Sequence, residues 1–538
     1  MFDHEYIRSH LTILERSAAR YPWSPAFKIP KQDSHGNIES WQSITYQQFL
    51  ADVESHAQYW IGVFTRDGIP QQSVIAIWVT GSTYADILHI YGISRAGYIP
   101  QLFCQRFIDP EIIYELSHKA NAQALVYAQM FESVLKDLQA VPVYPAKCDA
   151  SDANEMLLPE LTATKDSDIA FILHTSGSTS GSPRLVPCSY RWVDGVVDKL
   201  YQFCAPKSWN SQQQVVSAMF GSMCHMAPGT LLIGGMQHGS CLIQPTTLPY
   251  SADELTKMIH QCGLNRIHQF GSYLWKTLRA ARSDPELLSL LATLDEICYL
   301  GAPLTREDEA WAYANCLRLR SMYGTSETTT LLSSTVGLGN SPLLLRTFRG
   351  YSYRFVPTVP ASSDLGDEST IQLLELVIPA ESPDCPDISL RHSDGDFHTG
   401  DLFQEASPGL YLFRGRDGDW ITSGNAGRCD TKAIEDNVLS MCGDLIAGCI
   451  VVGSGRPSPV LFLEPQVEMD HEKLKEEIIE KTRQLHSRHS AHERITSPDM
   501  IVIVPNQSLP RTSTKGIIRR KAVEEAYKSV LDEIYLRH

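Results

Sequence analysis

His174-Thr175-Ser176-Gly177-Ser178-Thr179-Ser180-Gly181-Ser182-Pro183-Arg184 follows directly on the apolar run Ile169-Ala170-Phe171-Ile172-Leu173. The run reads as a buried strand, and the stretch after it as a tight turn holding six hydroxyl side chains and two glycines. Glycine lets a backbone approach an anion closely, so such a turn can wrap phosphate oxygens with N–H and O–H donors. Arg184 adds a permanent cation. The same composition also suits a Ser/Gly surface loop, and composition alone does not separate the two. The pattern G-x-x-x-x-G-K-[ST] is absent, which disfavours a P-loop nucleotidase.

Working outward, Ser73–Val79, Ala124–Tyr127 and Ile297–Leu300 are further short, apolar, strand-like runs, and a helical pattern covers Ala85–Ile90. Strands alternating with helices over the first 400 residues or so imply an α/β architecture on largely parallel sheets. The polar, glycine-rich segment Arg414-Gly415-Arg416-Asp417-Gly418-Asp419-Trp420 suits a linker at a domain boundary. Beyond it, Ala447–Val452 and Met500–Val504 read as strands. Asp470–His486 reads as a charged helix with Leu474, Ile478 and Leu485 on one side and a solvated opposite face.

At 538 residues the chain exceeds what one hydrophobic core usually organises, so at least two domains are expected. Its 46 Lys and Arg against 62 Asp and Glu give a net charge of −16, which argues against a nucleic-acid partner. The 13 cysteines are scattered from Cys104 to Cys449 without a C-x-x-C pair, and adjacent Cys224 and His225 alone make no metal site. They read as small buried hydrophobes in a reducing compartment. The N-terminal stretch lacks the cationic start and apolar stretch of a signal peptide. No apolar run reaches the about 18 residues a membrane span needs, and the C-terminal Leu536-Arg537-His538 is not a peroxisomal address. A cytoplasmic protein with no membrane partner is expected.

The hydroxyl-rich turn resembles the T-S-G-[ST]-T-G-x-P-K signature of the acyl-adenylate-forming superfamily of acyl-CoA synthetases, peptide-synthetase adenylation domains and luciferases. Other motifs follow in that superfamily's order. Ser43-Ile44-Thr45-Tyr46 resembles its early L-T-Y motif and Arg95-Ala96-Gly97-Tyr98 its K-A-G-A segment. His225 sits where an aromatic–His pair often borders the acyl pocket. Leu300-Gly301-Ala302-Pro303-Leu304 resembles G-G-A-P-L, Tyr323-Gly324-Thr325-Ser326-Glu327 resembles Y-G-x-T-E, and Thr399-Gly400-Asp401 matches T-G-D. Gly415-Arg416 and the linker resemble the G-R-x-D-D hinge. Leu509-Pro510-Arg511-Thr512 through Arg520 resembles L-P-K-T-x-x-G-K-x-x-R-R. A single tripeptide carries almost no weight, whereas this many partial matches in one order decide the class.

The resemblance implies an α/β fold: a large N-terminal domain of packed α/β sheets and a small mobile α+β C-terminal domain. It implies an adenylation core with ATP and acyl pockets over residues 1–415, a hinge at 416–419, and a small domain over 420–538 carrying a catalytic lysine. It implies ATP and Mg²⁺, with CoA as co-substrate. Glu327 would hold Mg²⁺, a hard cation that takes oxygen ligands. Thr175, Ser176, Gly177, Ser178, Thr179, Gly181 and Arg184 would hold the departing pyrophosphate. Gly301, Ala302, Pro303, Tyr323, Gly324, Thr325 and Ser326 would line the nucleotide site, with Tyr323 stacking on adenine. Asp401 would accept from the ribose hydroxyls, with Arg416 and Arg428 reinforcing the ribose or phosphate end. Lys515, Glu327 and His225 are the implied catalytic residues, Lys515 stabilising charge that develops in the transition state. Without the ordered set, a core tyrosine, a surface glutamate and a helix-capping aspartate would be the natural readings.

Four departures from the pattern stand out. The turn carries one extra residue before Pro183, and Arg184 replaces lysine. The pivot position falls near Gly418. Thr422–Arg428 departs from I-K-x-x-G-x-R and is longer by one. Lys515-Gly516 reverses the usual G-K order, which a flexible lysine arm can absorb. In the pocket segment, Phe220 is followed by Gly221 where α-amino-acid adenylation domains carry an aspartate for the substrate ammonium. An acid without a free α-amino group, aryl or aliphatic, is therefore expected, since an unpaired buried charge costs roughly 3–5 kcal/mol. Met223, Met226, Phe270 and Tyr299 fall near the expected pocket, though such residues are more often core than ligand wall. The chain ends soon after the last motif, which suits a free-standing acyl-CoA ligase. Loading of a carrier protein or an amine is the alternative, and a non-catalytic nucleotide-binding homologue is the rival from another class.

Overall fold

The apolar runs are β-branched and short, and in the computed structural model of the protein they become the strands of two large sheets. The structure describes residues 7–105, 107, 109–135, 141–147, 156–161, 165–175, 183–301, 304–335, 344–358, 372–416, 420–422, 428–486, 494–495, 497–511 and 518–537. The first sheet has six strands in the order Val143–Pro145, Ala122–Tyr127, Val74–Trp78, Ile99–Phe103, Ile169–His174 and Leu185–Ser189. All pair in parallel except the last, which returns antiparallel from the hydroxyl-rich turn. The second sheet has nine strands, with a parallel centre that includes Val216–Ala218, Arg266–Phe270, Glu296–Leu300 and Leu319–Thr325. Parallel strands need both faces covered. Helices Tyr84–Arg95, Tyr190–Cys204 and Met226–Met236 contribute to the buried cluster that spans Leu11 to Met236, and Ala252–Cys262, Gly271–Ser283 and Pro285–Thr293 to a second.

The expected strands and the Ala85–Ile90 helix all form, the helix extending over Tyr84–Arg95 behind a Thr83 and Asp86 capping box. Among the described cysteines, Cys316 is exposed and the other eleven are buried. None of the described helices is long and apolar enough to cross a membrane.

The pattern of alternating strands and helices breaks down before residue 400. Arg354–Pro357, Leu374–Ile378, Phe397–Ser407 and Leu410–Arg416 form a wholly antiparallel four-stranded sheet. The segment read as a linker begins inside its last strand, because Arg414, Gly415 and Arg416 belong to Leu410–Arg416 and Arg416 pairs with Asp401 across a bulge. Residues 417–419 lie outside the described residues. The C-terminal unit has a three-stranded sheet of Ile446–Val452, Val460–Pro465 and Ile501–Ile503, with helices Thr431–Cys442 and His471–His486 contributing to its core. Leu474 and Ile478 of the charged helix are buried there.

Candidate active site

Asp401 and Arg416 face each other in register on adjacent strands, so backbone pairing alone sets their side chains together. Arg416 Nε donates to Asp401 Oδ1 at 2.9 Å, and the Tyr323 hydroxyl donates to Asp401 Oδ2 at 2.5 Å. Asp401 is 2% exposed. Burial pushes its carboxyl above the ordinary range against the pull of Arg416 and the Tyr323 hydroxyl, and the Glu327 carboxylate adds to the rise. The Arg416 guanidinium is raised chiefly by Asp401, with Glu327 contributing. Glu327, Asp401 and Arg416 thus share one electrostatic neighbourhood. Tyr323 is half-buried, its ring edge-on to Phe403 at 5.0 Å and tilted on Phe413 at 5.5 Å. Burial and Asp401 together hold its hydroxyl well above its ordinary pKa, so it acts as a neutral donor.

Glu327 lies on the turn between antiparallel strands Leu319–Thr325 and Thr329–Ser333. That turn is tight: a Cβ on Gly324 would lie 2.1 Å from the Thr329 carbonyl oxygen, so only glycine fits. Thr329 itself adopts φ 57°, a left-handed conformation costly for a β-branched residue. Its hydroxyl meets that of Thr230 at 2.7 Å, and Thr325 and Thr328 pair their hydroxyls at 3.0 Å beneath the turn. The Glu327 backbone N–H donates to Thr325 Oγ1 at 3.3 Å, and the carboxylate stays half-exposed.

The hydroxyl-rich turn is closed at its neck. Thr175 N donates to the Arg184 carbonyl at 3.0 Å and Arg184 N to Thr175 Oγ1 at 3.1 Å. His174, buried against Phe103, lies 3.0 Å from the Leu102 carbonyl and 3.1 Å from Gln101 Nε2. Desolvation lowers its pKa to about 3, so it is a neutral strut. Arg184 is exposed. Ser176, Gly177, Ser178, Thr179 and Gly181 lie outside the described residues, as do Ala302, Pro303, Lys515 and Gly418. Gly301 turns out of strand Glu296–Leu300 at φ +83°, the position after the strand demanding glycine. Arg428 opens strand Arg428–Asp430, and its side chain is outside the description.

His225 caps helix Met226–Met236, with Nε2 3.2 Å from Cys104 Sγ. Together with Met223, Met226 and Leu173 it borders a cavity of about 40 Å³. Phe270 abuts both Gly221 and Gly301, where added Cβ atoms would approach its ring to 3.1 and 3.2 Å. Tyr299 is not a pocket wall: it is buried and donates its hydroxyl to Glu309 at 2.6 Å, in the core beyond the nine-stranded sheet. Alternation along the strand explains this, since Cys298 and Leu300 take the opposite face.

The residues present fit a nucleotide. Asp401 is an acceptor-only carboxylate of the kind that takes ribose hydroxyls, and Tyr323 beside it is an aromatic ring with a polar tip. Among the described residues no cluster of three or more His, Cys, Asp or Glu side chains assembles. The half-exposed Glu327 carboxylate is an oxygen donor of the type a hard divalent cation takes.

Sequence reasoning missed two buried polar assemblies. Lys199 and Asp384 pair at 2.5 Å with neither side chain exposed, and Tyr353 also donates to Asp384. A signal existed, because Lys199 falls on the apolar face of helix Tyr190–Cys204 with Val196 and Phe203. Glu296, the second, gathers Lys207, Arg266 and Arg320 from separate elements, and no local pattern announces it.

An α/β core of two large sheets that carries a buried carboxylate–arginine pair is the frame in which the comparisons with known proteins fall. The chain belongs to the AMP-binding enzyme family, matching it over residues 14–348 and its C-terminal domain over 418–538. It is 33% identical to the AMP-binding domain-containing enzyme iboA of Amanita muscaria, over 94% of this chain and 98% of that one. The adenylate-forming reductase Nps10 of Heterobasidion annosum is 21% identical over 87% of this chain, the match spanning 44% of that longer protein. The fold is that of ATP-bound MatB from Rhodopseudomonas palustris (TM-score 0.71, 16% identity, 97% of this chain and 99% of that one). It is equally that of the anthranilate CoA ligase AuaEII with anthranoyl-AMP (0.72, 15%, 98% and 99%).

Proposed function

We propose that the chain activates a carboxylic acid with ATP to an acyl-AMP, releasing pyrophosphate, and then passes the acyl group to CoA. The observation that carries this reading is the Tyr323–Asp401–Arg416 set beside Glu327. In the first step an oxygen of the acid attacks the α-phosphorus, and the bond to the β-bridging oxygen breaks. Asp401 and Arg416 hold the ribose end, and the Tyr323 face holds adenine. Thr175, Arg184 and the turn between them take the β- and γ-phosphates. Glu327 would hold Mg²⁺, which neutralises phosphate charge as pyrophosphate departs. His225 borders the acyl pocket. Lys515 is assigned the charge on the bridging oxygen. In the second step the CoA sulfur bonds the acyl carbon, AMP leaves, and the thiol proton is released to solvent. We further assign the domain division to residues 416–419, starting at the last residue of strand Leu410–Arg416.

The substrate lacks a free α-amino group in this reading. Gly221 carries no carboxylate to pair an ammonium, and it lies close against Phe270 and Pro228, where an added Cβ would come within 3.1 and 3.3 Å. The test is acid-dependent exchange of pyrophosphate into ATP, with CoA, a carrier protein and hydroxylamine as acceptors in turn. Acid-dependent AMP formation is expected, with CoA the preferred acceptor. ADP as product, or no exchange with any acid, would overturn the adenylation reading.

A further inference from the structure

Antiparallel strands match residues one to one, and strand Leu374–Ile378 does so with Phe397–Ser407 except at one place. Between the pairs Glu375–Leu402 and Val377–His398, the run Thr399, Gly400 and Asp401 opposes Leu376 alone. A bulge of this kind re-aims the side chains it carries. Here it carries Asp401, whose carboxylate meets the Tyr323 hydroxyl and Arg416.

Hydrogen bonds from two sources close the bulge. Thr399 Oγ1 donates to the Leu376 carbonyl at 2.8 Å and accepts from Asp401 N at 3.1 Å. Gly400 N donates to Glu375 Oε1 at 3.1 Å. Thr399 belongs to the T-G-D motif itself, whereas Glu375 reaches in from the neighbouring strand. The second Glu375 oxygen, Oε2, lies 3.2 Å from His398 Nδ1, and His398 Nε2 lies 3.0 Å from Asp394 Oδ2. Carboxylates only accept, so both ring nitrogens can donate at once only in the imidazolium. A neutral ring has one N–H and turns a lone pair toward one of the two carboxylates.

The Glu375 and His398 side chains are 22% and 25% exposed, so solvent screens them only in part. Burial opposes protonation of His398, but the hydrogen bonds to Asp394 and Glu375 outweigh it and raise the imidazole above its ordinary pKa. The other groups around the ring are His392, stacked at 4.5 Å, and Asp396, two residues back along the chain and itself paired with Arg354 of the next strand.

We propose that Glu375 is a positioning residue for the nucleotide: it holds the Gly400 N–H, and so the aim of Asp401, while protonated His398 holds Glu375. The proposal rests on the reading that Asp401 faces the ribose, and adds two residues and a pH dependence to it. Because the folded-state pKa of His398 is raised, the hold is complete below about 6.5, the ordinary histidine value, and fades as pH rises through the raised one.

The test is titration calorimetry on the full chain with ATP and with dideoxy-ATP, which lacks both ribose hydroxyls. Glu375→Ala releases the Gly400 N–H, so Kd for ATP should rise about tenfold while Kd for dideoxy-ATP moves by less than about twofold. Glu375→Gln keeps an acceptor for Gly400 and offers an amide donor to a neutral His398, so it should restore most of the affinity. Wild-type Kd for ATP should climb about threefold or more as pH rises above the histidine range, and that of Glu375→Gln should stay level. The ionisation of ATP itself affects both proteins alike. Equal losses on the two nucleotides would show a merely structural role and overturn the positioning of Asp401, as would an unchanged Kd in Glu375→Ala. An alkaline climb shared by Glu375→Gln would overturn the part given to His398. Wild-type protein that binds dideoxy-ATP as tightly as ATP would sink the ribose reading, and the positioning role with it. Wild-type protein that prefers ATP but exchanges no pyrophosphate with any acid would sink the adenylation reading alone, leaving the positioning role to stand on the binding result.

Discussion

Asp401→Asn keeps the side chain's shape and removes its charge, which makes it the sharpest probe of the nucleotide site. On the ATP side, the change weakens the acceptor that the proposed function assigns to the two ribose hydroxyls. Hydrogen bonds to a charged group contribute about 1.5–3 kcal/mol, so KM for ATP should rise about ten- to hundredfold. On the stability side two effects oppose each other. The ion pair with Arg416 is lost, but that side chain is 44% exposed and solvent screening keeps the loss near ~1 kcal/mol. Burial raises the Asp401 pKa, so the folded state favours the protonated acid and ionising it at neutral pH is a cost. The amide removes that cost. Net stability should therefore change by less than about 1 kcal/mol, while ATP binding changes far more. The same raised pKa predicts that the wild-type KM for ATP climbs on acidification above the ordinary carboxylate range, and that the Asn variant lacks this limb. Initial rates of exchange against ATP concentration and pH, with urea unfolding alongside, read all three quantities. A variant with unchanged KM for ATP and unchanged stability would show that the carboxylate does not face the ribose.

Two further outcomes follow from the geometry. Glu327→Gln should lower kcat for adenylation roughly a hundredfold or more with the fold intact, and a rate unchanged at limiting Mg²⁺ would place the cation elsewhere. Lys199→Met leaves Asp384 buried without its cation, so urea unfolding should show a loss of about 3–5 kcal/mol. Much of that loss should return in the Lys199→Met, Asp384→Leu double variant, and a fully stable single variant would show the pair to be slack.

The parallel strands and the His174–Arg184 turn were legible because their signals are local: an apolar run, then glycine and hydroxyl residues. The Glu327 turn was legible only as a motif. Its reason emerges in three dimensions, where Gly324 must clear the Thr329 carbonyl and Thr329 bears a left-handed φ. The antiparallel sheet from Arg354 to Arg416 was not read, since its pairing depends on long-range register that composition does not encode. Arg416 illustrates the cost. The motif resemblance assigned it to the ribose or phosphate end, but only the cross-strand pairing with Asp401 shows how the backbone brings the two side chains together. Glu296 and its three cations were illegible for the same reason, each residue being ordinary in its own segment.

The exchanged order Lys515-Gly516 raises the question of whether another cation of the C-terminal motif could serve adenylation. Two neighbours are committed. Arg511 donates to Glu464 at 2.9 Å and to the Leu509 carbonyl, and Glu464 is fully buried. Arg520 donates to Glu435 at 2.6 Å, where Glu435 also accepts from Val451 N. Withdrawing either arginine would strand a buried carboxylate at about 3–5 kcal/mol. The stretch that carries Lys515 is also pinned at both ends, by the Arg511–Ile518 bridge and by Arg519 N donating to the Pro510 carbonyl at 2.8 Å. This favours Lys515 as the group that meets the charge developing on the bridging oxygen. Lys515→Ala should then lower kcat for adenylation with little change in KM for ATP, because a transition-state interaction is lost and ground-state binding is not. Acyl transfer from a synthetic acyl-adenylate should proceed nearly as in the wild type. Both half-reactions are measured separately on the same preparation. Normal adenylation by Lys515→Ala would refute the assignment, and since Arg511 and Arg520 are held by buried carboxylates, it would direct attention to a cation of the N-terminal domain.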